Sequence, residues 1–177
     1  VRFSSRTGAF AQRINLDQSR LWPIPIDFDY RQAAAFHVGS LTAWVGLVRR
    51  GQLMSGETLL VHGATGGMGL AAVQLGRHLG ATVIATGSNV DKLAVAGQAG
   101  AQHLVVLGEP PGFRDQIMDI TGGKGVDVVF DPVGGDIFDE SVRVMAWGGR
   151  LLVIGFASGR IASLPVNRAL FKGFSVV

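Results

Sequence analysis

Three small residues at fixed spacing, Ala64, Gly66 and Gly69, sit inside the run Gly63-Ala64-Thr65-Gly66-Gly67-Met68-Gly69. The apolar stretch Thr58-Leu59-Leu60-Val61-His62 precedes them. Leu70 to Leu79 follows, with apolar residues at 70, 73, 75 and 79 that suit a helix better than an alternating strand. A strand, a glycine turn and a helix in that order are the context in which this spacing binds a dinucleotide. A small residue at 64 lets the chain turn sharply, Gly66 lets backbone approach a pyrophosphate, and Gly69 lets the helix pack close to the strand. The turn from Ala64 through Thr65, Gly66, Gly67 and Met68 to Gly69 would then offer phosphates the free N–H groups and partial positive charge of a helix N-terminus.

Other residues able to do chemistry are few. His62 closes the first strand and reads as hydrogen-bonded structure. His78 and His103 fall at a helix end and a strand start, and His37 lies beside an alanine-rich helix, where packing is the simpler role. Tyr30, the only tyrosine, stands at a helix start. Asp131 follows an expected strand and either meets a ligand or caps the next helix. Cysteine is absent, which excludes disulfides and thiolate zinc sites. The basic residues that give the net charge of +3 are scattered, Arg49-Arg50 being the densest pair, so no nucleic-acid footprint is visible. No apolar run reaches the length of a membrane span and the start shows no signal-peptide pattern, so a soluble cytoplasmic protein is the expectation.

The elements that must position these residues alternate regularly. Strands are expected at 58–62, 82–86, 103–107, 126–130 and 150–154. Helices are expected at 67–79, 90–99, near 113–120 and near 136–145. Gly80, Gly100, Gly122-Gly123 and Gly148-Gly149 punctuate the helix ends. Upstream, Pro23 and Pro25 forbid a helix and a central strand, leaving an extended linker or edge strand. Asp27 or Asp29 can cap a helix starting near Tyr30. A second helix is expected over 40–50, with Leu41, Trp44, Val45 and Val48 on its apolar face and Gly51 at its end. A composition 47% hydrophobic and 16% charged, with 26 glycines, suits a sheet buried on both sides. Crossovers of this length make the sheet parallel. The fold expected is α/β, a doubly wound Rossmann sheet of six strands in the order 3-2-1-4-5-6.

Several stretches together resemble the medium-chain dehydrogenase/reductase superfamily, and within it the zinc-free quinone oxidoreductase, zeta-crystallin-like branch. They are Gly8-Ala9-Phe10-Ala11, Ala33-Ala34-Ala35, Leu41-Thr42-Ala43-Trp44, the run from Gly51 to Gly69, Asp131-Pro132-Val133-Gly134-Gly135, and Gly148 to Phe156. The resemblance implies hydride transfer from NADPH to a quinone or enone. It implies that residues 1–28 are the remnant of a GroES-like barrel domain and its linker, and that 29–177 are a dinucleotide-binding domain cut at its C-terminal end. Thr42 matches a residue whose hydroxyl approaches the nicotinamide. Val133 and Gly134 match backbone lining the nicotinamide side, and Ile154, Gly155 and Phe156 match a stretch that touches the nicotinamide ribose or carboxamide. Zinc-dependent relatives place a cysteine ligand near the counterpart of Val38, so no metal is expected here. A homodimer through the sixth strand, residues 171–177, is implied as well.

An NAD-specific fold carries an acid at the end of its second strand to hold the ribose hydroxyls. Set against the family's helix start, Gly87 takes that place. Ser88 and Asn89 can donate hydrogen bonds and Lys92 can offer charge to a 2′-phosphate, which favours NADP over NAD. Ser88 with Asp91 also reads as a capping box. The tyrosine that relatives often add after strand three is replaced by Leu107. Reduction of an enoyl thioester, as in acryloyl-CoA reductases and polyketide enoyl reductases, fits the same motifs. So does a non-enzymatic NADPH-binding sensor or structural module.

Overall fold

A computed structural model describes residues 2–3 and 11–177, so Gly8 to Phe10 of the first matching stretch lie outside the described residues. The chain divides into two compact units between Val38 and Gly39. In the first, β1 (Arg2–Phe3) pairs antiparallel with β2 (Leu21–Trp22). The prolines at 23 and 25 follow as coil, and α1 (Tyr30–Trp44) begins. Asp29 is its cap: its Oδ1 accepts from Gln32 N–H at 2.7 Å while Gln32 Oε1 accepts from Asp29 N–H at 2.9 Å. That reciprocal pair satisfies two otherwise orphaned donors.

The two helices expected here are one. The α1 helix runs unbroken to Trp44 and passes into a π-helical turn at Val45–Arg50, where Gly51 N–H donates to the Gly46 carbonyl at 2.7 Å. The inward face also differs from the one expected. Ala43, Gly46 and Leu47 are buried, while Leu41, Trp44 and Val45, expected on the packed face, are exposed. The helix lies close to the sheet on its small residues, since a Cβ on Gly46 would sit 3.2 Å from Ile154 Cδ1, and a search for large apolar side chains selects the neighbouring face.

The second unit continues as β3 (Thr58–Val61), α2 (Gly67–His78), β4 (Thr82–Gly87), α3 (Val90–Gln98), β5 (His103–Val106), α4 (Arg114–Ile120), β6 (Val126–Asp131), α5 (Gly135–Val144), β7 (Met145–Val153), α6 (Val166–Lys172) and β8 (Ser175–Val176). All pairings from β3 onward are parallel, in the order β5-β4-β3-β6-β7-β8. Numbered within this sheet alone, the order reads 3-2-1-4-5-6, a Rossmann-like sheet of six strands. Both faces are covered. Leu59, Val61, Val83, Ala85 and Phe130 pack against Ala72 and Val73 of α2 and Leu93 and Ala96 of α3. On the other face Leu60, Ile84, Val129 and Leu151 meet Phe113, Ile117, Phe138 and Val142. All six residues of β6 are buried, as a central parallel strand requires.

Two boundaries differ from the sequence reading. The fifth strand of the sheet, β7, starts at Met145 rather than 150, and its register with β6 slips between Val126 and Val128. Gly148, left-handed at φ 72°, lies within that irregular stretch, so the glycine pair bends a strand instead of ending a helix. In 171–177, Phe171 and Lys172 finish α6, Gly173 caps it at φ 62°, and only Ser175 and Val176 form strand.

One charge pair ties the loop before β3 to β7. The Arg150 guanidinium meets both carboxylate oxygens of Glu57 at 2.8 Å and donates to the Gly51 carbonyl at 2.8 Å and the Gln52 carbonyl at 3.1 Å. Glu57 Oε2 also accepts from Met54 N–H at 2.8 Å, and the Arg150 contact, ahead of burial, holds its pKa below the usual range. Arg150→Ala leaves those acceptors unpaired and is expected to lower the unfolding free energy by about 2–3 kcal/mol. Urea denaturation at pH 7 measures it, and a loss within 0.5 kcal/mol, approximately the noise of a surface substitution, would show the tie to be dispensable.

Candidate functional site

The α2 helix begins without a side-chain cap. Gly66 N–H is used by the Gly63 carbonyl at 3.0 Å, and the next turn bond runs from Leu70 N–H to the Gly66 carbonyl at 2.8 Å. The N–H groups of Gly67, Met68 and Gly69 are thus left at the helix start with its partial positive charge. The three glycine positions differ in what they tolerate. A Cβ at Gly67 meets nothing within 4 Å, and one at Gly66 lies 3.5 Å from the Gly63 carbonyl oxygen, so both leave open space over the helix end. A Cβ at Gly69 would strike the Gly63 carbonyl and come within 2.7 Å of Ala64 Cα. The third glycine therefore exists for packing, and the first two leave a cradle a phosphate group can enter.

The loops at the carboxyl ends of β3, β4, β6 and β7 converge on this turn. Building a Cβ onto Gly87 places it 3.7 Å from Thr65 Cγ2, and one on Gly63 is 3.6 Å from Val133 Cγ2. A Cβ built on Gly134, which stands at φ 70°, would lie 3.3 Å from the Phe156 ring, and one on Gly155 would lie 3.1 Å from the Pro132 carbonyl oxygen. Backbone bonds lock the last two loops together: Ile154 N–H to Asp131 carbonyl at 2.9 Å, Ala157 to Pro132 at 3.1 Å, and Ser158 to Val133 at 2.9 Å. Arg160 bridges Asp136 at 2.8 Å and Asp139 at 2.6 Å on α5, holding the same loop down. The sheet changes winding direction between β3 and β6, and open α/β sheets bind ligands at that point.

Asp131 does not cap α5, whose N-cap is Gly134 with no side-chain cap bond; it braces the turn before that helix. Its Oδ1 accepts from Val133 N–H at 2.8 Å and Gly134 N–H at 2.9 Å, shaping the turn it opens. Burial raises its pKa against those two bonds. At the end of β4 the cap of α3 is Asn89, whose Oδ1 accepts from Lys92 N–H at 2.9 Å. The expected Ser88–Asp91 capping box is not formed, because β4 continues through Gly87 and Asn89 is the residue adjoining the first helical position. Ser88 and the Lys92 side chain are exposed.

Thr42 and Ile154 come together in a cleft of about 540 Å³ with Leu41, Val45, Gly46 and Arg50 of the helix and Leu152, Val153 and Val177 of the sheet. Gly46 permits this closeness, since a Cβ there would sit 3.2 Å from both Ile154 Cδ1 and the Phe130 ring. Sequence reasoning missed Arg50 as a wall of the cleft, having read it only as a cation at a helix end. A second omission is the partners of His62. Its Nδ1 lies 2.8 Å from Thr86 Oγ1 and its Nε2 lies 2.7 Å from Ser141 Oγ, with the ring fully buried under Phe113. Ser141 falls 79 residues away on α5, and no local pattern announces such a pair.

Residues 67–177 match the family described as zinc-binding dehydrogenase. The chain is 39% identical over 170 residues to the quinone oxidoreductase-like protein 2 of Mus musculus, covering 96% of this chain and 48% of that one. It superposes on the quinone oxidoreductase of Thermus thermophilus, solved also in complex with NADPH, with a TM-score of 0.86 and 33% identity over 99% of this chain and 55% of that one. A highly reducing polyketide synthase of Arthrinium phaeospermum is 38% identical over 169 residues, 92% of this chain and 7% of that protein. The chain spans about half the length of the first curated relatives it matches. Zinc, implied by the family's description, finds no ligand set: the chain has no cysteine, and among the described residues no three His, Asp or Glu side chains converge.

Complete burial pushes the His62 imidazole down to about 3. An unfolded chain binds this proton near pH 6.5 and the folded one does not, so the stabilisation is full above pH 6.5 and is lost as pH falls toward 3. Between pH 7 and 5 it amounts to about 2 kcal/mol. Urea midpoints across that range are expected to fall with an uptake of about one proton in the wild type, and the His62→Gln variant lacks that share of the slope.

Proposed function

The chain belongs to the zinc-binding dehydrogenase family, in its quinone oxidoreductase-like branch as the cofactor-binding domain, and on that premise we propose that it binds NADPH for hydride transfer to a quinone or enone. The observation that carries the reading is the uncapped start of α2 beneath an open glycine turn at the winding switch of the sheet. When bound, the cofactor supplies the hydride. The chain's own residues do the rest. Ala64 to Gly69 take the pyrophosphate on backbone N–H groups. Gly87 leaves room at the end of β4 for a ribose phosphate that a carboxylate would repel. Val133, Gly134, Gly155 and Phe156 wall the reactive ring, and Thr42 faces it across the cleft from Ile154. A cytoplasmic location belongs to the same reading. The polyketide synthase relative favours a second substrate class, the enoyl thioester. Turnover of the full gene product with NADPH and a quinone, an enone or an enoyl thioester separates the two, and NADPH binding without any turnover supports a sensor.

Titration with NADPH and NADH at fixed ionic strength tests the cofactor assignment. NADPH is expected to bind more tightly, through Ser88, Asn89 and Lys92. The Asn89 carbonyl oxygen is committed to the cap, so its amide N–H₂ is the donor left. Lys92 is exposed, so Lys92→Ala is expected to weaken NADPH by only about two- to fivefold and to leave NADH unchanged. Equal affinities for the two cofactors would refute the assignment.

A homodimer through β8 is part of this proposal. The edge strand Ser175–Val176 is exposed, and Trp147 (79% exposed) and Phe171 (73%) add apolar surface nearby in sequence and sheet order. An unpaired edge of this kind is a template for another strand. Sedimentation equilibrium at micromolar concentration is expected to show a dimer that Val176→Lys dissociates.

A further inference from the structure

His62 stands immediately before the glycine turn, at the end of β3, and its two nitrogens reach in different directions. Nδ1 meets Thr86, the residue just before Gly87-Ser88-Asn89, and Nε2 meets Ser141 on α5, the helix that Val133 and Gly134 lead into. The ends of β3 and β4 and the helix α5, each adjoining one of the loops placed around the dinucleotide, thus share one buried imidazole. A further link joins two of them, since Ala64 N–H donates to the Thr86 carbonyl at 3.2 Å.

The proton's position follows from the partners. Ser141 Oγ lies 2.7 Å from the Ile137 carbonyl, a group that can only accept; with its hydrogen directed there, Ser141 accepts from His62, which assigns the ring's proton to Nε2. Nδ1 is then the acceptor, and Thr86 Oγ1 donates to it at 2.8 Å. The alternative for that hydroxyl, the Val61 carbonyl, is longer at 3.4 Å. The chain of donors runs Thr86 to His62 to Ser141 to Ile137, every hydrogen directed and every ring nitrogen satisfied. A neutral histidine is suited to this place, since it offers one donor and one acceptor on opposite sides of a rigid plane. In a buried site such a chain fixes geometry strongly, because breaking any bond leaves a desolvated polar atom.

Resting on the NADPH-binding reading above, we propose that His62, neutral and protonated on Nε2, is the positioning residue that holds the pyrophosphate turn, the ribose-phosphate loop and the nicotinamide wall in register. It touches no ligand. It acts by keeping the loops arranged before the cofactor arrives, so that binding need not order them.

Thr86→Val and Ser141→Ala each remove one hydroxyl at little change of volume, and His62→Gln keeps a donor for Ser141. NADPH dissociation constants are measured by fluorescence titration at pH 7.5, with the folded fraction of each variant fixed by circular dichroism. Each single variant is expected to weaken NADPH about fivefold, the equivalent of one buried hydrogen bond. The double variant is expected to fall well short of the product of about 25-fold, because either break already releases the loops. A merely structural histidine would lower the melting temperature and leave the affinity of the folded fraction unchanged. Folded variants that all bind NADPH within about twofold of wild type therefore overturn the proposal. A wild type that binds no NADPH refutes the cofactor reading instead. Should the variants not fold, ¹⁵N NMR of the wild-type imidazole decides. A neutral Nε2–H ring from pH 5 to 8, whose resonances move when NADPH is added, is the expected result. An Nδ1–H ring, a charged ring, or resonances indifferent to NADPH overturn the proposal.

Discussion

The crossing of α2 over the end of β3 at Gly69 is the contact on which the rest of the site depends. A side chain there would drive into the Gly63 carbonyl and the Ala64 backbone, so the helix sits as near its strand as backbone allows. That nearness aims the helix N-terminus at the mouth of the sheet. It also leaves Gly66 and Gly67 as open surface and brings the turn within reach of Gly87 on one side and Val133 on the other. Substituting alanine for a glycine inside a helix is ordinarily stabilising. Here the sign reverses, because the gain in helix propensity is smaller than the cost of displacing backbone in a dense interior.

The doubly wound sheet was legible in the sequence because each crossover repeats one physical pattern: an apolar run, a glycine or asparagine punctuation, then a helix. The glycine turn was legible for the same reason, its spacing being set by local backbone geometry. Elements whose form is decided by partners distant in sequence were less so. The α1 helix continues through Gly39 because that glycine faces the Gly67 carbonyl, where a Cβ would be only 3.1 Å away, so it marks a close approach rather than a break. The early start of β7 depends on pairing Met145 with Val126, which no local propensity records.

Within the site, the glycine turn and the Val133–Gly134 and Gly155–Phe156 stretches lie where the loops converge, whereas the partners of His62, which no motif marks, are polar groups paired across the sheet. His62 reads locally as a strand end. Its meaning comes from Thr86 and Ser141, both remote in sequence. Asp131 was ambiguous from sequence because carboxylates serve equally as ligands and as helix caps. The two N–H groups directed at its Oδ1 make it a brace of its own turn instead, while α5 starts at Gly134 without a side-chain cap.

The π-helical turn at Val45–Arg50 makes the distance from Thr42 to Leu53 a matter of residue number as well as length. Gly51 N–H reaches back five residues to Gly46 and Leu53 N–H reaches back six to Leu47, so the backbone there carries one residue more than an α-helix would. Removing that residue would let the turn close to α geometry at no loss of hydrogen bonding. Because the wide turn absorbs the extra residue, Thr42 upstream would keep its place on the cleft. Within the span each residue would move along by one position, so Val45, Gly46 and Arg50 would not all remain on the wall they now form. That wall is thus set by a count of residues as well as by their identity.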